Sequence, residues 1–309
     1  MIEDASIQAP RWLGRSNAQQ PFVITVCTAG ECSDALALLD TELGDLQIRE
    51  HRPLATNACD VTVDCDPDTA WSLLLSLRTK LVDADVYIQP QESRGKRLLI
   101  CDMDMTIVAA ETLDEVAAML GLGERIAAIT TRAMHGEIDF NAALRERITM
   151  LAGQPEQVFH DIVEHLQLNP GAEQLLAAAA AAGVHTILVS GGFAQVAEPV
   201  ARRLGFDEVH CNHLEIDAGK LTGKVKSPII NADLKCSLLQ QRAQALGLTL
   251  SDCCAIGDGA NDLPMLRAAG LGIAYHGKPV LRAATSCHID ATDLASAIYF
   301  MGLDRVSVT

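Results

Sequence analysis

The sequence predicts an α/β fold: a doubly wound parallel, Rossmann-like sheet with a helical cap insert, preceded by a ferredoxin-like α+β domain. Three observations predict it. Residues 21–90 carry strand and helix patterns in the order βαββαβ, which lays two helices on one face of a four-stranded antiparallel sheet. From residue 97 onward, short apolar runs alternate with amphipathic helical patterns, as in a parallel sheet covered on both faces. After the first of these runs come four helical patterns with no strand between them, so a helical insert interrupts the sheet at about 111–170.

Residues 1–20 are polar and mixed, with Pro10 and the run SNAQQP, and read as a flexible arm. Within 21–90, FVITVCT is a strand, ECSDALALLDTEL a helix, LQIREHRPLA and NACDVTVDC two strands, DTAWSLLLSLRTKL a second helix and ADVYIQP the last strand. The polar stretch QPQESRGK, 89–96, contains Pro and Gly and marks the domain boundary. The second domain, 97–309, opens with the apolar run Leu98–Cys101. Glu111–Gly121, Glu124–His135, FNAALRERITMLAG and PEQVFHDIVEHL give the insert helices. GVHTILVSGG is then a strand entering a glycine turn, FAQVAEPVARRLG a helix, EVHCNHLEID with GKLTGKV a hairpin, and ADLKCSLLQQRAQALGL a helix. CCAIGDGANDLPMLRAAG gives strand, loop and helix; LGIAY and CHID are short strands, and Thr292–Met301 is the final helix.

Charge and cysteine usage exclude several function classes. Twenty-four Lys and Arg against 40 Asp and Glu give a net charge of −16, which disfavours attraction to nucleic acid or to an anionic membrane. An anionic ligand must therefore be gripped by a local cluster of donors. The ten cysteines show no C-x-x-C spacing and read as reduced thiols of a cytoplasmic protein. The start MIEDASIQAP lacks a basic-then-apolar signal pattern, and the most apolar window, Leu175–Val189, is too short to span a bilayer.

The chemistry concentrates in RLLICDMDMT, residues 97–106. Asp102 and Asp104 follow a buried strand with a spacing that puts both on one face. At the carboxyl end of a strand, two acids can share a divalent cation while one attacks an electrophile. Taken alone, the motif reads equally well as a strand ending in a polar turn. VSGG places Ser190 and two glycines after another apolar strand, where a hydroxyl and free N–H groups can hold phosphoryl oxygens; taken alone, a simple glycine turn is the better reading. AIGDGANDLPML ends a third strand with Asp258, Asn261 and Asp262. Asp258 would complete a hard-cation site, and Asp262 reads also as a helix N-cap. Lys235 falls in the first turn of a helix, where a solvated lysine is usual and one pairing an aspartate with a phosphate is the sharper alternative.

In this order, DMDMT, SGG, Lys235 and GDGANDLPM resemble the four motifs of the haloacid dehalogenase superfamily. Residues 97 to about 300 are similar to its phosphoserine-hydrolysing branch, including the run GDGANDLPMLRAAGLGIAYHGKP. The resemblance implies Mg²⁺-dependent hydrolysis of O-phospho-L-serine to L-serine and phosphate through a phosphoaspartyl intermediate, the last step of serine biosynthesis. It implies Asp102 as nucleophile and Asp104 as the acid and base that handles the proton, its carboxyl kept protonated by nearby acids although the open site exposes it to solvent. It implies Mg²⁺ on the Asp102 carboxylate, the Asp104 main-chain oxygen and Asp258. Ser190, Gly191, Lys235 and Asn261 are implied to grip the phosphoryl oxygens, with Asp262 orienting Lys235 or a metal-bound water. The cap segment AMHGEIDFNAALRERI is implied to place Met134, Phe140 and Arg147 beside the substrate, with Glu111 answering its ammonium group. Such a set suits a phosphorylated amino acid, because a guanidinium can bond an α-carboxylate twice and the apolar pair excludes water.

Met105 departs from the pattern, standing where many members carry Ser. His276, Gly277 and Lys278 match a loop near the site and receive no role, and HCNH, 210–213, is read as strand and hairpin rather than as a soft-metal site. The ferredoxin-like, ACT-like domain is expected to support homodimer formation or regulation by serine. Two alternatives stay open. One is a related phosphomonoesterase or phosphotransferase with another substrate; the other is an amino-acid sensor that carries a phosphatase-like domain.

Overall fold

The computed structural model describes residues 8–14 and 18–303. The N-terminal domain runs β1 (Gln20–Thr28), α1 (Ser33–Leu43), β2 (Gln47–Ala55), β3 (Ala58–Cys65), α2 (Pro67–Lys80) and β4 (Ala84–Pro90). Its sheet has the order β2-β3-β1-β4, with β1 antiparallel to both neighbours. Helix α2 begins where the Asp66 carboxylate accepts the Thr69 N–H at 2.9 Å and Pro67 takes the first helical position, a cap worth about 1 kcal/mol. Leu39, Leu43, Leu74 and Leu77 of the helices and Phe22, Ile24, Val61 and Val63 of the strands are buried in the hydrophobic core. Of the stretch expected to be a flexible arm, residues 1–7 and 15–17 lie outside the described residues. Trp12, between them, is buried with its ring edge-on to Phe22 at 5.0 Å.

Polar contacts fasten this domain to the next. Asp85 accepts the N–H groups of Asp290, Ala291 and Thr292 at 2.8, 3.1 and 2.9 Å, and Gln89 Nε2 donates to the Phe300 carbonyl at 2.7 Å. Arg94, in the linker, binds both Asp60 and the Tyr299 carbonyl. A carboxylate that takes several N–H groups at once is satisfied even when buried.

The second domain continues β5 (Leu98–Cys101), α3 (Thr112–Met119), α4 (Gly123–Met134), α5 (Phe140–Thr149), α6 (Gln157–His165), α7 (Ala172–Ala181), β6 (His185–Phe193), α8 (Ala194–Leu204) and β7 (Glu208–Asn212). The hairpin β8 (Leu214–Asp217) and β9 (Lys220–Val225) follows, then α9 (Ala232–Ala245), β10 (Cys253–Gly257), α10 (Leu263–Ala268), β11 (Leu271–Tyr275), α11 (Pro279–Ala283), β12 (Cys287–Ile289) and α12 (Ser296–Phe300). The parallel sheet has the order β12-β11-β10-β5-β6-β7. The chain moves outward from β5 through β6 and β7, then returns to β10 on the other side of β5. That reversal opens a crevice beyond the carboxyl end of β5, the place where open α/β sheets bind ligands.

Two expectations need correction here. EVHCNHLEID is not one hairpin strand: Glu208–Asn212 pairs parallel to β6, and only Leu214–Asp217 turns back on β9. The break at His213 lets the buried first half join the main sheet while the second half leaves it. The final helix is also shorter than Thr292–Met301, because Asp85 holds residues 290–292 as a loop.

Helices α3 to α6 form the cap, joined to the core by two linkers that bond each other, Ala109 N–H to the Gln167 carbonyl at 2.9 Å. The hairpin extends the cap, since Gly153 N–H bonds the Leu221 carbonyl at 2.8 Å and Gly223 lies against Ala152 and Thr149. Among the described residues no helix is long and apolar enough to cross a membrane.

Candidate active site

Asp102 and Asp104 leave the end of β5. Asp102 is buried, and its Oδ1 accepts the Met103 N–H at 2.8 Å while Lys235 Nζ lies 2.7 Å away. Both donors approach the same oxygen, which leaves Oδ2 to face an electrophile. Lys235, 1% exposed, comes from the first turn of α9 and also binds Asp262 Oδ1 at 2.8 Å. Asn231 caps that helix by accepting the Leu234 N–H at 3.0 Å, which fixes where the lysine enters. Burial and the Asp262 carboxylate raise the Asp102 carboxyl well above its usual range, with Lys235 acting against them. Burial lowers Lys235, but the two aspartates outweigh it and hold the ammonium form.

Asp104 bridges core and cap. Its Oδ1 accepts the N–H of Thr112, the first residue of α3, at 3.0 Å, and Ser190 Oγ donates to Oδ2 at 3.3 Å. Burial raises its carboxyl, while the bond from Thr112 lowers it. The raised direction agrees with a protonated starting state, but burial leads the causes where crowding by acids in an open site was expected. Ser190 Oγ in turn accepts the Gly192 N–H at 2.8 Å. A Cβ on Gly192 would stand 3.0 Å from Ser190 Oγ and 3.1 Å from Asp104 Oδ2, so any larger residue there would press on both of these groups.

Asp258 ends β10, and a tight turn at Ala260–Asp262 carries Asn261 and Asp262. Asp102, Asp258 and Asp262 each bring a carboxylate oxygen within 4.8 Å of the others. An all-oxygen set without His or Cys fits a hard divalent cation. Asp262 already uses both oxygens, Oδ1 on Lys235 and Oδ2 on the Gly259 N–H at 3.1 Å, which agrees with an orienting role. Lys278 Nζ reaches Asp258 Oδ2 at 3.1 Å and Glu111 Oε1 at 3.5 Å.

The cap supplies the remaining expected residues. Glu111 precedes α3, and Arg147 lies in the last turn of α5 with its buried Nε unbonded. Burial lowers the Arg147 guanidinium, against the pull of Asp114 and Glu111. The SGG stretch expected to be a turn instead continues β6 with an irregular register before Phe193, and Phe140 reaches over it, its Cζ 3.5 Å from where a Cβ on Gly191 would stand. Met134 closes α4, and its side chain lies outside the described residues. Met105, the departure from the motif, has a positive φ of 56° and is 40% exposed; it leaves both acids in place.

Two residues that organise the site were not expected from the sequence. Asn212, fully buried at the end of β7, donates to the Gly191 carbonyl and accepts the Ile230 N–H, both at 2.8 Å. It thereby ties the glycine pair near the end of β6 to the segment leading into α9. Asn169 donates to the Thr106 carbonyl at 2.8 Å and fixes the loop after Asp104. An asparagine at the end of a strand is the only hint the sequence gives of the first.

Four known proteins or families are similar to this chain. The haloacid dehalogenase-like hydrolase family model matches residues 99–267. A phosphoserine phosphatase from Lactococcus lactis subsp. lactis is 42% identical over 207 residues, 67% of this chain and 96% of that protein. Among solved structures, a haloacid dehalogenase family hydrolase from Salmonella enterica serovar Typhi superposes with a TM-score of 0.82 at 31% identity, covering 91% of this chain and 98% of that one. A substrate-bound phosphoserine phosphatase superposes at 0.62 and 33% identity, over 66% of this chain and 98% of that one.

Proposed function

Because the chain belongs to the haloacid dehalogenase-like hydrolases, we propose that it is a phosphatase that hydrolyses O-phospho-L-serine to L-serine and phosphate. The observation that carries the chemistry is the Asp102 carboxylate, with one oxygen held by the Met103 N–H and Lys235 and the other free. Asp102 Oδ2 attacks phosphorus, the bond from phosphorus to the seryl oxygen breaks, and Asp104 gives that oxygen its proton. Asp104 then takes a proton from water, the water oxygen attacks the phosphoaspartate, and the bond to Asp102 breaks to release phosphate. Asp102, the main-chain oxygen of Asp104 and Asp258 would hold Mg²⁺, which when bound supplies positive charge to the phosphoryl oxygens. Lys235, Ser190, Asn261 and the Gly191 N–H hold those oxygens, and Asp262 keeps Lys235 in place.

Glu111 and Arg147 read the amino-acid part. The unbonded Arg147 Nε supports a carboxylate partner, since a buried donor without one is costly. Phe140, which reaches over Gly191, excludes water above the phosphoryl group. A substrate panel tests specificity: Glu111→Gln or Arg147→Ala should reduce turnover of phosphoserine far more than that of phenyl phosphate. An equal loss on both would refute the assignment.

We place the activity in the cytoplasm, a reading supported by ten free thiols. The N-terminal domain is proposed to pair two chains or to answer serine. Its exposed edge strand β2 supports pairing, and sedimentation with and without serine tests both.

A further inference from the structure

We propose that Lys278 is a positioning residue that latches the start of the cap to the core and sets the Glu111 carboxylate for recognition of the substrate ammonium group; the second half rests on the function proposed above. Three observations meet here. First, Lys278 Nζ lies between one acid of the core and one of the cap, 3.1 Å from Asp258 Oδ2 and 3.5 Å from Glu111 Oε1. Second, Glu111 immediately precedes α3, whose next turn hangs on it: the Asp114 and Glu115 N–H groups bond the Glu111 carbonyl at 3.0 and 3.1 Å. Third, the lysine stands on rigid backbone. His276 has a positive φ of 41° and its N–H bonds the Ile289 carbonyl at 2.9 Å. A Cβ on Gly277 would meet Ala274 at 2.9 Å, and the Lys278 N–H bonds the Asp258 carbonyl at 2.8 Å.

The charge balance explains why a lysine belongs there. Asp102, Asp104, Asp258, Asp262 and Glu111 converge on the crevice, and Lys235 uses two of its three donors on two of them. Glu111 has the Lys278 ammonium near it and Asp104 as a raising neighbour. Without Lys278 the Glu111 carboxylate keeps Asp104, Asp258 and Asp114 as repelling neighbours, with the partly buried Arg147 guanidinium still attracting it, and turns toward solvent. With it, the carboxylate stays over the crevice, where an incoming α-ammonium can share it. Both partners of the pair are about half exposed, 56% and 51%, so the contribution is that of a surface pair.

The test uses the full chain. In hydrogen exchange, Lys278→Ala should speed exchange of the Asp114 and Glu115 amides by about two- to fivefold, the range a surface ion pair supports, and Lys278→Arg should restore most of the protection. Unchanged exchange at these amides would overturn the latch, whatever the substrate proves to be. In turnover, Lys278→Ala should lower the ratio of kcat/KM for phosphoserine to that for phenyl phosphate by about two- to fivefold, chiefly through KM. In a Glu111→Gln background that fall should vanish; a fall of the same size there, or none in the wild-type background, would overturn the positioning of Glu111. Failure of the wild-type protein to hydrolyse phosphoserine would refute the proposed function instead, and the exchange measurement would still decide the latch.

Discussion

Replacing Lys235 by Met removes the one cation from a buried set that otherwise holds only acids. Lys235 touches Asp102 at 2.7 Å and Asp262 at 2.8 Å, and none of the three side chains is more than 5% exposed. With the ammonium gone, the two carboxylates stand within 4.8 Å of each other and repel by about 3.5 kcal/mol at an effective dielectric of about 20. Leaving a buried charge without its partner typically costs about 3–5 kcal/mol, so a loss of about 4 kcal/mol is expected in urea unfolding of the full chain. The repulsion is relieved by protonating Asp102, which removes the nucleophile, and the phosphoryl group loses a donor as well. Turnover of phosphoserine should therefore fall by at least about a hundredfold. Adding Asp262→Asn separates the two effects: stability should recover by about half, because one of the facing charges is gone, while activity stays lost. A Lys235→Met protein within about 1 kcal/mol of the parent, or with turnover within a factor of about ten, would refute this role for Lys235.

Other outcomes follow from the same geometry. Asp104→Asn should cut kcat for phosphoserine by about 10²–10⁴ yet still release p-nitrophenol from p-nitrophenyl phosphate in a stoichiometric burst, because that leaving group needs no proton although the second step still needs the base; a burst slowed as much as the phosphoserine reaction would remove Asp104 as the acid. His288 donates from Nε2 to the Thr285 carbonyl at 2.9 Å, and burial with the Arg78 guanidinium pushes it from 6.5 down to about 3. The unfolded chain therefore binds the extra proton, so His288 contributes stability above pH 6.5 that is lost as pH falls toward 3. The slope reaches about 1.4 kcal/mol per pH unit. His288→Gln should flatten that part of the stability curve, and an unchanged slope in urea titrations across this window would count against it.

Much of the site was legible because its residues sit at the ends of apolar strands. Asp102, Ser190 and Asp258 each follow a run that can only be a buried strand, and a parallel sheet brings such ends together. The βαββαβ order of the first domain was equally plain, since alternation and helical spacing are local. What was hidden depends on contacts between distant segments. Asn212 looked like part of a hairpin because nothing local shows that Glu208–Asn212 joins β6 while the next residues leave. The shortening of the last helix comes from Asp85, more than two hundred residues away in sequence. The position of Lys278 beside Glu111 and Asp258 likewise needs the folded loop. Chemistry announces itself in residue types at strand ends, whereas the groups that orient it are chosen by the packing.

The central claim is that Asp102 carries the phosphoryl group. The most direct measurement mixes the protein with Mg²⁺ and excess phosphoserine, quenches in acid within one turnover, and maps the peptide spanning residues 97–111 by mass spectrometry. Asp102 should gain one phosphoryl mass that disappears as phosphate is released, and Asp102→Asn should gain none. Phosphate release that proceeds unchanged in Asp102→Asn, or a phosphoryl group found on another residue, would contradict it.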